Sequence, residues 1–208
     1  MVKYFLDGGG FMWPILICGV AGIAFAVERL YHLLKSNINV AAFTAEVTEV
    51  LKKSGVNAAI AKCDDATGPV RNIFLAGLER AGKGAAEAEK AIETRGAIEM
   101  ASLEKNMGWI GFLIGTAPML GFLGTVVGMI AAFDEIKAAN DISPAVVAGG
   151  ISIALLTTAF GLIVAVILQF FQNIALTMIE GYILDMEQGS GTLLESFMDL
   201  EREGKLKV

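Results

Sequence analysis

Histidine is nearly missing from this 208-residue chain, which holds only His32. The two cysteines, Cys18 and Cys63, stand far apart, and no CxxC pair occurs. Clustered His/Cys sites for zinc or haem are thereby excluded, and neither a metal nor an organic cofactor is expected. Charge is also scarce, at 18% of residues against about 25% in an ordinary soluble domain. What charge there is sums to −6, with a pI near 4.9, so a nucleic-acid partner, which needs a basic face, is excluded. No strand pattern, Gly-rich phosphate loop with a following lysine, or repeat array is present. In place of these stands an apolar excess, with 55% hydrophobic residues and a mean hydropathy of +0.62. That argues against a cytosolic enzyme, a disordered tail or a disulfide-stapled secreted module. The composition is that of a membrane protein with a soluble portion.

A helix needs about 20 mostly apolar residues to cross a bilayer. Three stretches meet this, at 11–30, 108–133 and 145–171. The second is free of charge from Trp109 to Phe133 and stops at Asp134-Glu135, and the third is free of charge from Ala145 to Phe171. The first, ending in Ala24-Phe25-Ala26, mimics a signal peptide, but Lys3 alone precedes it and Asp7 offsets that charge. Trp13-Pro14 there suits an interfacial anchor opening a helix, so the stretch is read as a span. Eleven of the 16 Lys and Arg residues fall between Arg29 and Lys105, and three in the tail. The positive-inside rule then puts residues 1–10 outside (periplasmic), 31–107 inside, the loop 134–144 outside and the tail 172–208 inside. The fold class is accordingly an all-α membrane protein with three transmembrane helices, the second and third extended into the cytoplasm as long helices.

The middle segment is rich in Ala, Glu and Lys, which favours helix. A short helix is predicted over Ala41–Lys53, with Phe43, Val47, Val50 and Leu51 inward. A longer one is predicted from Ala85 to Asn106, with Ala91, Ile92, Ile98 and Leu103 inward, flowing unbroken into the second span. Gly96 and Gly108 are its weak points. In the tail, Gly189-Ser190-Gly191 is predicted to interrupt the helix that continues the third span. Glu28 and His32, four apart, suit an interfacial polar pair, since nothing nearby completes a ligand set.

The second and third spans carry the chemistry. Gly121, Thr125 and Gly128 share one helical face, near Gly124 and Pro118, and Ala154, Thr158, Gly161 and Ala165 share another. Such faces let helix backbones approach closely, and threonine can hydrogen-bond across the contact. Helix packing alone explains most motifs of this kind. Here each stripe also carries a threonine near mid-span, while neither span holds an acid or base. An ion path needs a coordinating or titratable group, so its carboxylate would come from another chain.

At these residues the chain resembles the MotA/TolQ/ExbB proton-channel family. Gly115-Thr-Ala-Pro118-Met-Leu-Gly121-Phe-Leu-Gly124-Thr125-Val-Val-Gly128-Met129 is similar to its second-span signature, and Gly150-Ile-Ser-Ile-Ala154-Leu-Leu-Thr157-Thr158-Ala159-Phe-Gly161-Leu162 to its third. Three spans with an outside amino terminus match the TolQ/ExbB branch. The resemblance implies a bacterial inner-membrane pentamer around two copies of a single-span partner of the ExbD/TolR type. It further implies that the partner's Asp faces Thr125 and Thr158 and that the flow of protons or sodium ions becomes mechanical work at the cell envelope. Thr157 adds a hydroxyl about 100° around the helix from Thr158 and is kept as a supplementary ligand. One departure stands out: Ile153 occupies the position where TolQ/ExbB proteins usually carry Glu, which leaves the ion's identity open. A stand-alone channel or transporter and a structural scaffold are the alternatives, and none of these readings is an enzyme.

Overall fold

In a computed structural model, residues 2–35, 39–139 and 144–203 are described. Among them no strand occurs, and the helices run in order as α1 (Val2–Asp7), α2 (Met12–Lys35), α3 (Val40–Ser54), α4 (Val56–Asp64), α5 (Pro69–Arg80), α6 (Ala85–Leu103), α7 (Met107–Ala139) and α8 (Pro144–Arg202). Three helical stretches, lying in α2, α7 and α8, are long and apolar enough to cross a membrane. At 59 residues and about 1.5 Å per residue, α8 is about 88 Å long, far more than a bilayer's hydrocarbon thickness.

The chain forms two compact units, one of residues 1–30 with 106–175 and one of residues 31–105 with 176–208. In the first unit, Cys18, Leu113, Ala117 and Leu168 form a buried cluster, with Phe25, Ile114, Leu120 and Val164 packed against it. Apolar side chains including Phe122, Leu155 and Val166 stay exposed on the outer faces, as lipid-facing or partner-facing positions do. The short α1 sits over this unit, where Phe5 meets Trp13 and Phe160 edge-on at 5.4 and 6.4 Å.

The second unit is an amphipathic helical cluster. Its core holds Val47, Leu51, Ile73, Leu78, Leu193 and Phe197, and Phe43 stacks on Phe74 at 5.5 Å. Asn39 caps α3 by accepting from the Ala42 N–H at 3.1 Å, and Pro69 opens α5, where its missing N–H costs nothing. Of the face predicted for α3, Phe43, Val47 and Leu51 are buried and Val50 is half-buried; on α6, Ile92 and Leu103 are buried while Ile98 faces outward. The Cys63 thiol is fully buried. Burial pushes it up to about 11, Asp64 adding to the rise and Arg71 opposing it, so this thiol is not a nucleophile.

The structure departs from the sequence pattern at two places along its long helices. Gly189-Ser190-Gly191 does not interrupt α8, which runs unbroken to Arg202. A Cβ at Gly189 would stand 2.9 Å from Thr44 Oγ1 and 3.3 Å from the Phe74 ring. This glycine therefore serves close helix packing, which outweighs its low helix propensity.

The helical course from Ala85 into the second span is present, but a turn at 104–106 divides it. The break falls at neither Gly96 nor Gly108, both of which lie inside helices. It falls at Asn106, whose φ of 66° is left-handed and whose Nδ2 donates to Glu28 Oε2 at 3.1 Å. Asparagine visits that conformation more readily than alanine, because its short polar side chain can hydrogen-bond locally. Asn106→Ala should lose about 1–2 kcal/mol of stability from the left-handed backbone, besides the bond to Glu28. Asn106→Gly, which loses only the bond, should melt between Asn106→Ala and the wild type. Melting in detergent measures this, and an alanine variant as stable as wild type would show that the turn carries no strain.

Further along, α7 continues to Ala139, so the expected loop at 134–144 begins as helix. Residues 140–143 lie outside the described residues.

Candidate functional site

The site is built on the contact of α7 with α8, where the absence of bulk lets main chain meet main chain. A Cβ on Gly161 would lie 2.6 Å from the Ala117 carbonyl oxygen. One on Gly121 would lie 2.8 Å from the Thr157 carbonyl oxygen and 3.1 Å from Thr158 Cα. Further along the same seam, a Cβ on Gly124 would stand 2.7 Å from the Thr157 side chain and one on Gly128 3.4 Å from the Ala154 nitrogen, and Gly150 abuts Ala132. Gly121, Gly124, Gly128, Ala154, Thr157, Thr158 and Gly161 are thus brought together. Pro118 stands half-buried beside Gly161, its Cα 3.3 Å from a Cβ there. Ala165 is buried.

The threonines differ in setting. Thr157 is 1% exposed and packs against α7, donating its hydroxyl proton to the Ala154 carbonyl at 2.9 Å and, less closely, to that of Ile153 at 3.3 Å. Thr158 is half-buried and donates across the helix pair to the Gly121 carbonyl at 3.4 Å. Thr125, also half-buried, donates to the Phe122 carbonyl of its own helix at 2.6 Å; the α7–α8 seam does not include it. In Thr125 and Thr157 the proton is engaged with main chain of the same helix, whereas the longer Thr158 bond holds its hydroxyl only loosely. A hydroxyl engaged as in Thr125 and Thr157 offers only its oxygen lone pairs outward, so these two groups suit a cation and not an anion.

Two members of the seam, Ala117 and Ala132, escape the small-residue faces read from the sequence, and Gly150 enters there only as the start of the third-span signature. A signal was there for Ala132, four residues after Gly128, and for Gly150, four before Ala154, each extending its stripe by one turn. Among the described residues, no group of His, Cys, Asp and Glu could hold a metal ion.

Comparison with known proteins bears on this pair of helices directly. The profile of the MotA/TolQ/ExbB proton channel family matches residues 65–188, which takes in all of α7 and the apolar part of α8. The chain belongs to the MotA/TolQ/ExbB proton channel family. Among its relatives, a putative biopolymer transport protein ExbB homolog of Methanothermobacter thermautotrophicus is 32% identical over 170 residues, covering 81% of this chain and 60% of that one. A putative biopolymer transport protein ExbB-like 3 of Synechocystis is 29% identical over 172 residues, covering 81% of each. The biopolymer transport protein ExbB of Pseudomonas putida is 34% identical over 104 residues, half of this chain and 32% of its own length. The chain therefore spans 60% of the Methanothermobacter relative it matches. With its family and three membrane-length helices established, this MotA/TolQ/ExbB-family chain is a membrane protein of the ExbB branch.

Proposed function

We propose that this chain is the channel-forming subunit of an ion-driven complex that couples cation flow to mechanical work at the cell envelope, in the service of biopolymer transport or a related task. Five copies surround two copies of a single-span partner whose Asp supplies the carboxylate that α7 and α8 lack. The complex lies in the inner membrane with the amino terminus outside, as the distribution of Lys and Arg favours. The conducted ion is a proton or sodium.

One observation carries this reading. The hydroxyls of Thr125 and Thr157 donate to main-chain carbonyls of their own helices and that of Thr158 leans toward the Gly121 carbonyl, in membrane stretches without a single titratable side chain. Such a surface solvates a passing cation by oxygen and adds no fixed charge, so a charge carried by another helix can bind and release it. The driving force is adequate, because one charge crossing 100 mV releases about 2.3 kcal/mol.

Native mass spectrometry of the chain co-expressed with an adjacently encoded single-span protein tests the assembly. Five copies with two partners is the expected stoichiometry. A monomer or dimer that ignores the partner would overturn the reading.

A further inference from the structure

We propose that the cavity beside the loop-facing ends of α7 and α8 is a cation vestibule, in which Glu135 gathers a monovalent cation from water and Thr157 receives it. The inference rests on the ion-conducting reading above and adds an entry route to it. The cavity has a volume of about 500 Å³ and is bounded by the Gly8–Phe11 turn, by α7 from Gly124 to Glu135 and by α8 from Ala145 to Thr157. That is room for a cation together with a hydration shell, since a water occupies about 30 Å³ of liquid.

Its chemistry is one-sided. Among the described lining residues Glu135 is the single titratable side chain, Thr157 the single hydroxyl, and no Lys, Arg or His is present. Both polar groups are acceptors. The carboxylate is so when ionised, and Thr157 because its proton goes to the Ala154 carbonyl. An anion would find no donor side chain there. The remaining wall is glycine, alanine, Val127, Ile153 and Phe11, whose low polarisability concentrates the field of the one carboxylate within the space. Glu135 is itself exposed, at the mouth of the cavity. Asp134 beside it adds to the negative potential, and Lys137, two residues on, offsets one charge; both are exposed. The cavity thus runs from a hydrated carboxylate to Thr157, which touches Gly124 at the α7–α8 seam.

The experiment is ion flux through the co-expressed complex in proteoliposomes. Flux is measured against sodium at fixed pH and, separately, against proton concentration without sodium. Glu135→Gln should raise the concentration for half-maximal flux of the conducted ion about fivefold, as expected for losing one carboxylate a few ångströms from a hydrated cation. Maximal flux should stay as in wild type, Glu135→Asp should restore the wild-type curve, and added choline chloride should shrink the difference by screening. The curve that moves identifies sodium or proton. A Glu135→Gln complex that elutes as wild type with an unmoved curve, or with flux reduced equally at every concentration, overturns the vestibule alone. A wild-type complex that conducts neither ion overturns the ion-conducting reading, and the vestibule with it.

Discussion

Replacing Thr158 with valine is expected to lower ion flux through the assembled complex at least about tenfold, equivalent to about 1.4 kcal/mol or more on the barrier, while the complex elutes as wild type. Valine keeps the branched shape and removes the hydroxyl. Structurally the loss is small, because the hydroxyl's bond to the Gly121 carbonyl is long, at 3.4 Å, and a hydrogen bond of that length contributes little. Functionally the loss is large in the proposed pathway, since the hydroxyl oxygen is one of the few acceptors that α7 and α8 offer a cation between their uncharged walls. Flux in proteoliposomes made from the variant complex, compared at equal protein content, checks this. Undiminished flux would remove Thr158 from the path.

The second large effect concerns assembly. A Cβ on Gly161 would stand 2.6 Å from the Ala117 carbonyl oxygen and 3.3 Å from Pro118 Cα. Neither neighbour is a side chain that can rotate away, so Gly161→Ala must push α7 and α8 apart. Overpacking of this kind costs about 1–3 kcal/mol, and between membrane helices there is little hydrophobic gain to offset it, since lipid solvates apolar surface as well as a neighbouring helix does. The separation would also open the Gly121 contact with Thr157 and Thr158, so the variant should both melt earlier and conduct poorly. Gly181→Ala is the control, because nothing lies within 4 Å of a Cβ there. In an open mid-helix position alanine should be neutral, or stabilising by about 0.5–1 kcal/mol. If the two alanine variants melt alike in detergent, the close approach at Gly161 does not bear on stability.

These two residues show how differently position and surroundings were legible. Thr158 and Gly161 both stand out in the sequence, as members of one small-residue stripe in an uncharged span. From periodicity, Thr157 lies on a different face from Thr158 and is only supplementary to it. In the structure Thr157 is the most deeply buried of the three threonines, set against Gly124, while Thr158 reaches the Gly121 carbonyl. Helical periodicity fixes the 100° between neighbours but not which sector the other helix occupies. The position of Glu135 is illegible in the sequence for a related reason. From sequence it only marks the end of an apolar run, and its place on the rim of a cavity with Thr157 depends on α7 continuing past it to Ala139.

The amino-acid sequence by itself determined the all-helical class, the three membrane-length stretches and the small-residue faces, because these follow from hydropathy and from a period of 3.6 residues, both local properties of the chain. Tertiary structure alone decided where the long helices break and which small residues touch. Glycine is read from sequence as a weak point, yet Gly189 lies in unbroken helix because packing against Thr44 and Phe74 requires its missing Cβ, and the actual break falls at Asn106, bonded to Glu28, 78 residues away. Contacts between residues so distant in the chain carry no local signature, and only the folded molecule shows them.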